Sequence, residues 1–248
     1  AKDRLKKAHA YYSRGSRVKV LDDAAAEVVV DADELDAHPE LLNCPNGVLD
    51  LRTGDLRDHD PSLRLTKLTD AEFVDGAATE DWRQALSAVT EDTAEYLRVA
   101  MGITAVGTSP ADLVFIAFGS GGNGKGTMLG ACSHALGDYA TTVPAKLFTD
   151  QGGRETQLLM PLRGARLAMA AETGEDHMLN MERLKALSGG DPITDRYLYS
   201  RSFATWAPSH TLWLQTNARP RVRNTDEGSW RRLQLVPFTS SYLAQLGN

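Results

Sequence analysis

The sequence predicts an α/β fold: a mainly parallel sheet with helices on both faces, preceded by a small mixed, mainly helical accessory segment. Three observations carry this. Residues 113–118, Leu-Val-Phe-Ile-Ala-Phe, are apolar on both faces, as a buried parallel strand must be. Leu167–Ala171 and residues 212–216 repeat that texture, residues 233–236 offer a fourth candidate, and helices or loops separate them. A run of glycines follows the first of these strands directly and opens a helix.

Composition narrows the class. The chain has 248 residues, 42% hydrophobic and 24% charged, which suits a globular protein and excludes a disordered or low-complexity one. No apolar run approaches the roughly 20 residues of a membrane helix, so no membrane partner is expected. Two cysteines, Cys44 and Cys132, are too few for a disulfide framework or a four-thiolate zinc site, and a reducing cytoplasm is the expected compartment. The first residue is Ala1 and no signal-peptide pattern follows, so the chain reads as part of a longer protein. The net charge of −6 argues against a surface coated for duplex DNA. That charge is uneven: residues 20–40 carry eight acids and no Lys or Arg, whereas residues 185–236 carry eight bases and four acids. A focused basic region in an acidic chain suits a small nucleic-acid or phosphate site; ordinary patchiness is the plain alternative.

Two textures divide the chain near residue 108. In the first part, residues 1–12 read as a basic amphipathic helix, followed by the acidic stretch. Asn46-Gly47 and Thr53-Gly54 then punctuate short apolar pieces in the manner of hairpins. Residues 80–89 and 92–105 read as helices, with Trp82, Leu86 and Val89 on one face and Leu97 and Met101 on the next. Residues 1–108 are thus expected to form the accessory domain and 109–248 the sheet-bearing core.

The strongest chemical signal is Gly119-Ser120-Gly121-Gly122-Asn123-Gly124-Lys125-Gly126-Thr127, between a buried strand and a helix over 128–136 closed by Gly137. That is the setting of a P-loop, in which backbone N–H groups curl around phosphates at a helix N-terminus and a lysine reaches the β- and γ-phosphates. A flexible glycine turn with an incidental lysine is the bland reading, and the flanking strand and helix speak against it. One position departs from the pattern. The hydroxyl that normally follows Gly-Lys and contacts Mg²⁺ is replaced by Gly126, and Thr127 comes one residue late. A helical residue turns about 100° from its neighbour, so Thr127 need not reach the same spot. Either the loop is shifted or the metal takes a water there; contact of Thr127 with the α-phosphate is the third option.

A P-loop ATPase also needs an acid at the tip of a neighbouring strand. Glu172 is first past Leu167–Ala171 and is the choice; a solvated strand-end acid or an acidic helix cap is the alternative. Glu175 and Asp176 lie too far along. The strand ending Gln215-Thr216 is followed by Asn217, which can orient water and sense a γ-phosphate but is also a good turn residue. Arg219, Arg221 and Arg223 follow, then Trp230-Arg231-Arg232; arginines here either serve phosphates or form a solvated loop. Between acid and asparagine, the helix with Met181, Leu184 and Leu187 carries Lys185, for which an ion pair with Glu182 is the plain reading. Residues 194–203, with Arg196, Tyr197, Tyr199, Arg201 and Phe203, mix aromatic and basic side chains at strand-like spacing. That suits single-stranded nucleic acid, and equally an ordinary half-exposed hairpin.

Taken in order, these motifs resemble the superfamily 3 helicase domain of phage and plasmid primase-helicases, related to the poxvirus primase-helicase. The resemblance rests on Gly119–Thr127, Gly164-Ala165-Arg166 leading to Ala171-Glu172-Thr173, Lys185 to Asp191, Asn217-Ala218-Arg219-Pro220-Arg221, Asp226, and Trp230 to Phe238. Upstream, Asn43, Asn46-Gly47, Asp50 and Thr53-Gly54 look like the segment that precedes the helicase there; the likeness spans about residues 41–240. It implies a modified AAA+ core that assembles as a ring, usually a hexamer, and hydrolyses ATP with Mg²⁺ while moving along single-stranded DNA. By position it implies Gly119, Gly121, Gly122, Asn123, Gly124, Lys125, Gly126 and Thr127 around the nucleotide. Glu172, with Thr127, would be at the metal, Asn217 would be the sensor, and Arg231 or Arg232 a finger into the neighbouring subunit. Lys185, Arg196 and Arg201 would face DNA. Two departures, Gly126 and a single acid where many relatives show two, bear on metal geometry more than on nucleotide binding. Relatives usually continue past Phe238, and no primase active-site segment is present, so a primase domain is expected elsewhere on the full-length chain. The alternative is an ATP-dependent DNA-binding initiator or scaffold with weak turnover.

Overall fold

The computed structural model describes residues 13–108, 112–149, 159–171, 178–197, 199–200, 202–223 and 227–239. The helix expected over residues 1–12 lies outside these. The chain divides into two compact units, Ala1–Leu35 and Asp36–Asn248. In the first, α1 (Arg14–Glu27) starts at Ser13, whose hydroxyl accepts from the Ser16 N–H, and buries none of its residues. Part of the acidic stretch is therefore helical.

In the second unit, β1 (Leu41–Cys44), β2 (Gly47–Asp50) and β3 (Leu56–Arg57) form the antiparallel meander that the Asn-Gly and Thr-Gly turns predict. The two expected helices follow as α2 (Glu80–Leu86) and α3 (Glu91–Ala105); Thr90 caps α3 by accepting from the Thr93 N–H. Then come β4 (Val114–Phe118), α4 (Lys125–Leu136), β5 (Ala140–Thr142), β6 (Leu167–Ala171), β7 (Met178–Leu179) and α5 (Met181–Ser188). After α5 lie β8 (Ile193–Asp195), β9 (Ala204–Trp206), β10 (Thr211–Thr216), β11 (Arg221–Val222), α6 (Glu227–Trp230) and β12 (Leu233–Pro237).

Five of these strands form one wholly parallel sheet in the order β12-β4-β10-β6-β5. The four apolar runs read from the sequence are its four inner or longer members. β5 was missed because three residues, Ala-Thr-Thr, carry no hydrophobic run. Both faces are covered, which is why the central strands are apolar throughout. On one face Phe115, Ala117 and Trp213 pack with Leu97 and Ala100 of α3 and Met128 and Leu129 of α4. On the other, Val114, Ile116, Leu212 and Leu214 pack with Met181, Leu184 and Leu187 of α5. The Phe115 and Trp213 rings stack at 4.6 Å between centroids. The Trp213 indole N–H donates to Thr104 Oγ1 at 3.0 Å, tying α3 to the sheet. Arg166, 4% exposed, donates to the carbonyls of Ala105 and Leu41 and lies 4.5 Å over the Tyr139 ring. One buried guanidinium thus joins β1, the end of α3 and the entry to β6.

Candidate nucleotide-binding site

In a parallel sheet every strand presents its carboxyl end to the same edge, and ligands bind in the crevice outside that edge. Phe118-Gly119, Thr216-Asn217, Ala171 and Pro237-Phe238 lie along it. The glycine-rich loop leaves β4, which lies between β12 and β10. Gly119 has φ +151°, and a Cβ there would run into the Phe238 carbonyl, so only glycine fits. Gly124 caps α4 with φ +83°, again glycine territory, and the open surroundings of Gly121 leave room on the outer side of the loop. Asn123, 2% exposed, braces the loop from within: its amide N–H donates to the Phe238 carbonyl at 2.9 Å, and its Oδ1 accepts from Lys125 Nζ at 2.9 Å. Lys125, 3% exposed, donates also to the carbonyls of Gly119 and Ser120. The lysine is folded onto its own loop, its ammonium held among these loop oxygens. Gly126 and Thr127 are exposed on the first turn of α4. Burial pushes the Cys132 thiol farther along α4 up to about 11, so near neutrality it is an uncharged packing group.

Asn217 stands exposed immediately past β10, after Thr216, which is buried and bonds into the turn at Ala218. Arg219 returns over β4, its guanidinium 5.2 Å from the Phe118 ring, and brings a cation to the same edge. Glu172 and Arg201 lie outside the described residues. Among the described residues no three His, Cys, Asp or Glu side chains gather as a metal cluster. Position 126 itself offers no side-chain oxygen.

The two terminal arginines occupy the opposite edge. The Val114 N–H donates to the Arg232 carbonyl at 2.8 Å, which puts residue 232 at the amino end of β4. Four residue steps separate it from the loop, about 13 Å. Neither arginine can serve the P-loop of its own chain from there. They also differ from each other. The Arg232 side chain is 14% exposed and pairs with Asp112 at 2.8 Å, whereas Arg231 is 69% exposed and 4.0 Å from the same carboxylate. Arg231 is thus the one presented outward.

Residues 194–203 prove to be mostly a loop tip rather than strand. The paired strands are β8 and β9, three residues each, in register Ile193↔Trp206 to Asp195↔Ala204. Between them Tyr197, Tyr199 and Phe203 are exposed, at 63%, 93% and 66%, and the Arg196 guanidinium lies 5.3 Å from the Phe203 ring. The base is anchored by Asp195, buried, which accepts from the N–H groups of Leu159 and Met160. Sequence reading missed that carboxylate because its partners lie some 35 residues upstream. Lys185 sits half-buried on α5, which leads through Gly189 into this hairpin.

A central parallel strand, a glycine-rich loop and a helix N-terminus together define a P-loop NTPase-like α/β domain. Comparison with known proteins carries this further. A family model described as D5 N terminal like matches residues 1–91. An inferred helicase of Acanthamoeba polyphaga mimivirus, L207/L206, is 27% identical over 218 residues, covering 84% of this chain and 23% of that protein. An inferred primase of African swine fever virus, C962R, is 27% identical over 213 residues, covering 81% of this chain and 22% of its own length. The chain therefore spans under a quarter of the length of these curated relatives. Among solved structures, the C-terminal region of NrS-1 matches with a TM-score of 0.52 at 14% identity, over 67% of this chain and 39% of that one, a likeness of fold alone. The resemblance to primase-helicases read from the motifs is borne out, with these relatives coming from viruses of eukaryotes. No helix among the described residues is long and apolar enough to cross a membrane.

Proposed function

We propose that this chain is the ATP-driven motor of a replicative primase-helicase, hydrolysing ATP with Mg²⁺ while moving on single-stranded DNA within a ring of like subunits, a hexamer by family habit. The observation that carries the reading is the loop of Gly119–Thr127, held between the central strand and α4 with Lys125 at its mouth. Loop N–H groups take the phosphate oxygens, and Lys125 exchanges neutral carbonyl acceptors for charged ones, which bind an ammonium more strongly. A bound Mg²⁺ would supply charge neutralisation at the phosphates, and Thr127 is one of the two residues the resemblance places beside it. Glu172 would hold the ion and polarise water, Asn217 would orient that water, and Arg231 of an adjacent subunit would meet the γ-phosphate. Lys185, Arg196 and Arg201 would face DNA, with the exposed Tyr197, Tyr199 and Phe203 stacking its bases. On this reading residues 1–108 are the accessory part and 109–248 the motor, and a primase domain belongs to the full-length protein.

Gly126 favours a second reading, an ATP-dependent DNA-binding scaffold with little turnover. Steady-state ATPase assays with and without single-stranded DNA separate the two. The motor reading expects turnover that DNA stimulates; nucleotide binding without turnover in either condition would support the scaffold instead.

A further inference from the structure

At the metal corner of this P-loop, position 126 has no side chain, yet the space beside it is not empty. The Gln215 amide fills it. A Cβ built on Gly126 would lie 3.2 Å from Gln215 Nε2 and 3.9 Å from its Oε1. The register explains how Gln215 gets there. It is paired with Ala117 of β4 on one side and with Ala171, the last residue of β6, on the other. Matched residues on parallel strands face the same way, and Ala117 packs against Met128 and Leu129 of α4. Gln215 therefore stands on the α4 face, between the loop strand and the strand that leads to Glu172, and reaches up to the first turn of α4. Gly126 and Gln215 are a matched pair: a side chain at 126 would crowd the amide, and the glycine gives the amide its room.

We propose that Gln215 supplies the oxygen that the P-loop lacks at position 126, its Oε1 holding Mg²⁺ directly or through one of the waters that this ion keeps. This rests on the ATP-binding reading above. A side-chain amide carries a carbonyl acceptor of the hard oxygen type that Mg²⁺ prefers. The metal's environment is thereby moved from the helix to the adjacent strand, beside the residue that leads to the sensor Asn217. An amide that merely packs against the helix would have no effect on the metal, and that is the difference to be measured.

The test is the affinity of a fluorescent ATP analogue in excess Mg²⁺ and in EDTA, for the parent and three variants. The parent binds more tightly with Mg²⁺. Gln215→Ala keeps its affinity in EDTA but loses about 10- to 100-fold of the Mg²⁺-dependent gain, the size seen when groups supporting a metal are removed. Gly126→Ser alone, crowded by the amide, binds less well in both conditions. Gly126→Ser combined with Gln215→Ala recovers the Mg²⁺ gain, because the hydroxyl then has the space. An unchanged Mg²⁺ gain in Gln215→Ala, or a double variant no better than Gln215→Ala, overturns the proposal while leaving nucleotide binding intact. A parent that binds the analogue in neither condition overturns the P-loop reading itself, and this proposal with it.

Discussion

The two ends of the same five strands are built from different materials. At the carboxyl ends, glycines in left-handed conformations, an inward-folded lysine and exposed polar residues such as Thr127 and Asn217 form a loose, hydrogen-bond-rich rim. At the amino ends, Arg166, His210 and Arg232 are buried or nearly so, Arg166 and Arg232 are tied into the frame by their guanidinium bonds, and Arg231 points out. The contrast teaches where substitutions will hurt. Exposed residues at the carboxyl rim, such as Thr127 and Asn217, can be replaced with little loss of fold. Arg166 and Arg232 at the amino rim hold elements together, and Arg231 lies exposed beside them.

The largest effect on the chemical side is expected from Lys125→Ala. Hydrolysis should become undetectable while the thermal midpoint stays near that of the parent. A folded variant with undiminished turnover would remove the carboxyl rim from the account. On the other rim, Arg166→Ala orphans two buried carbonyls and empties the space over Tyr139, so unfolding should become easier by roughly 2–5 kcal/mol, read as a lower urea midpoint at unchanged slope. An unmoved midpoint would show that the accessory helices are held by packing alone.

His210 gives the amino rim a pH dependence. Burial pushes its imidazole down from 6.5 to about 4. As pH falls through this window the unfolded chain takes up a proton that the folded chain refuses, so stability present above pH 6.5 is lost toward pH 4, by up to about 3 kcal/mol. His210→Leu should flatten urea midpoints across that window; a parent curve already flat there would contradict it. The smallest effect belongs to the loop tip, where Arg196→Ala should lower the salt slope of single-strand binding by about one, similarly for all sequences. An unchanged slope and affinity would take Arg196 out of the DNA contact.

Much of this was legible in the sequence because it was local. Strand β4, the loop and α4 are consecutive, and the apolar runs of β6, β10 and β12 are long enough to be read alone. What was illegible came from partners far apart. Nothing near Arg232 in sequence announces Asp112, 120 residues earlier, yet that pair separates Arg232 from Arg231. Gln215 was read only as a strand-end residue, since its meeting with Gly126 depends on β10 inserting between β4 and β6. Asp195 was passed over for the same reason. The short strands β5, β8 and β9 are set by their neighbours rather than by their own three residues.

The two rims come together if a site is completed by a neighbouring copy. A finger arginine acting from an adjacent subunit can be worth roughly 10³–10⁵ in rate. The most direct test is ATPase activity of Arg231→Ala alone, of Lys125→Ala alone, and of the two mixed. Arg231→Ala should bind ATP and hydrolyse almost none, and the mixture should regain activity, because an intact loop then meets an intact arginine; Arg232→Ala should instead lower stability. Near-normal turnover in Arg231→Ala, or no recovery in a verified mixed assembly, would contradict a catalytic centre shared between the carboxyl rim of one subunit and the amino rim of the next.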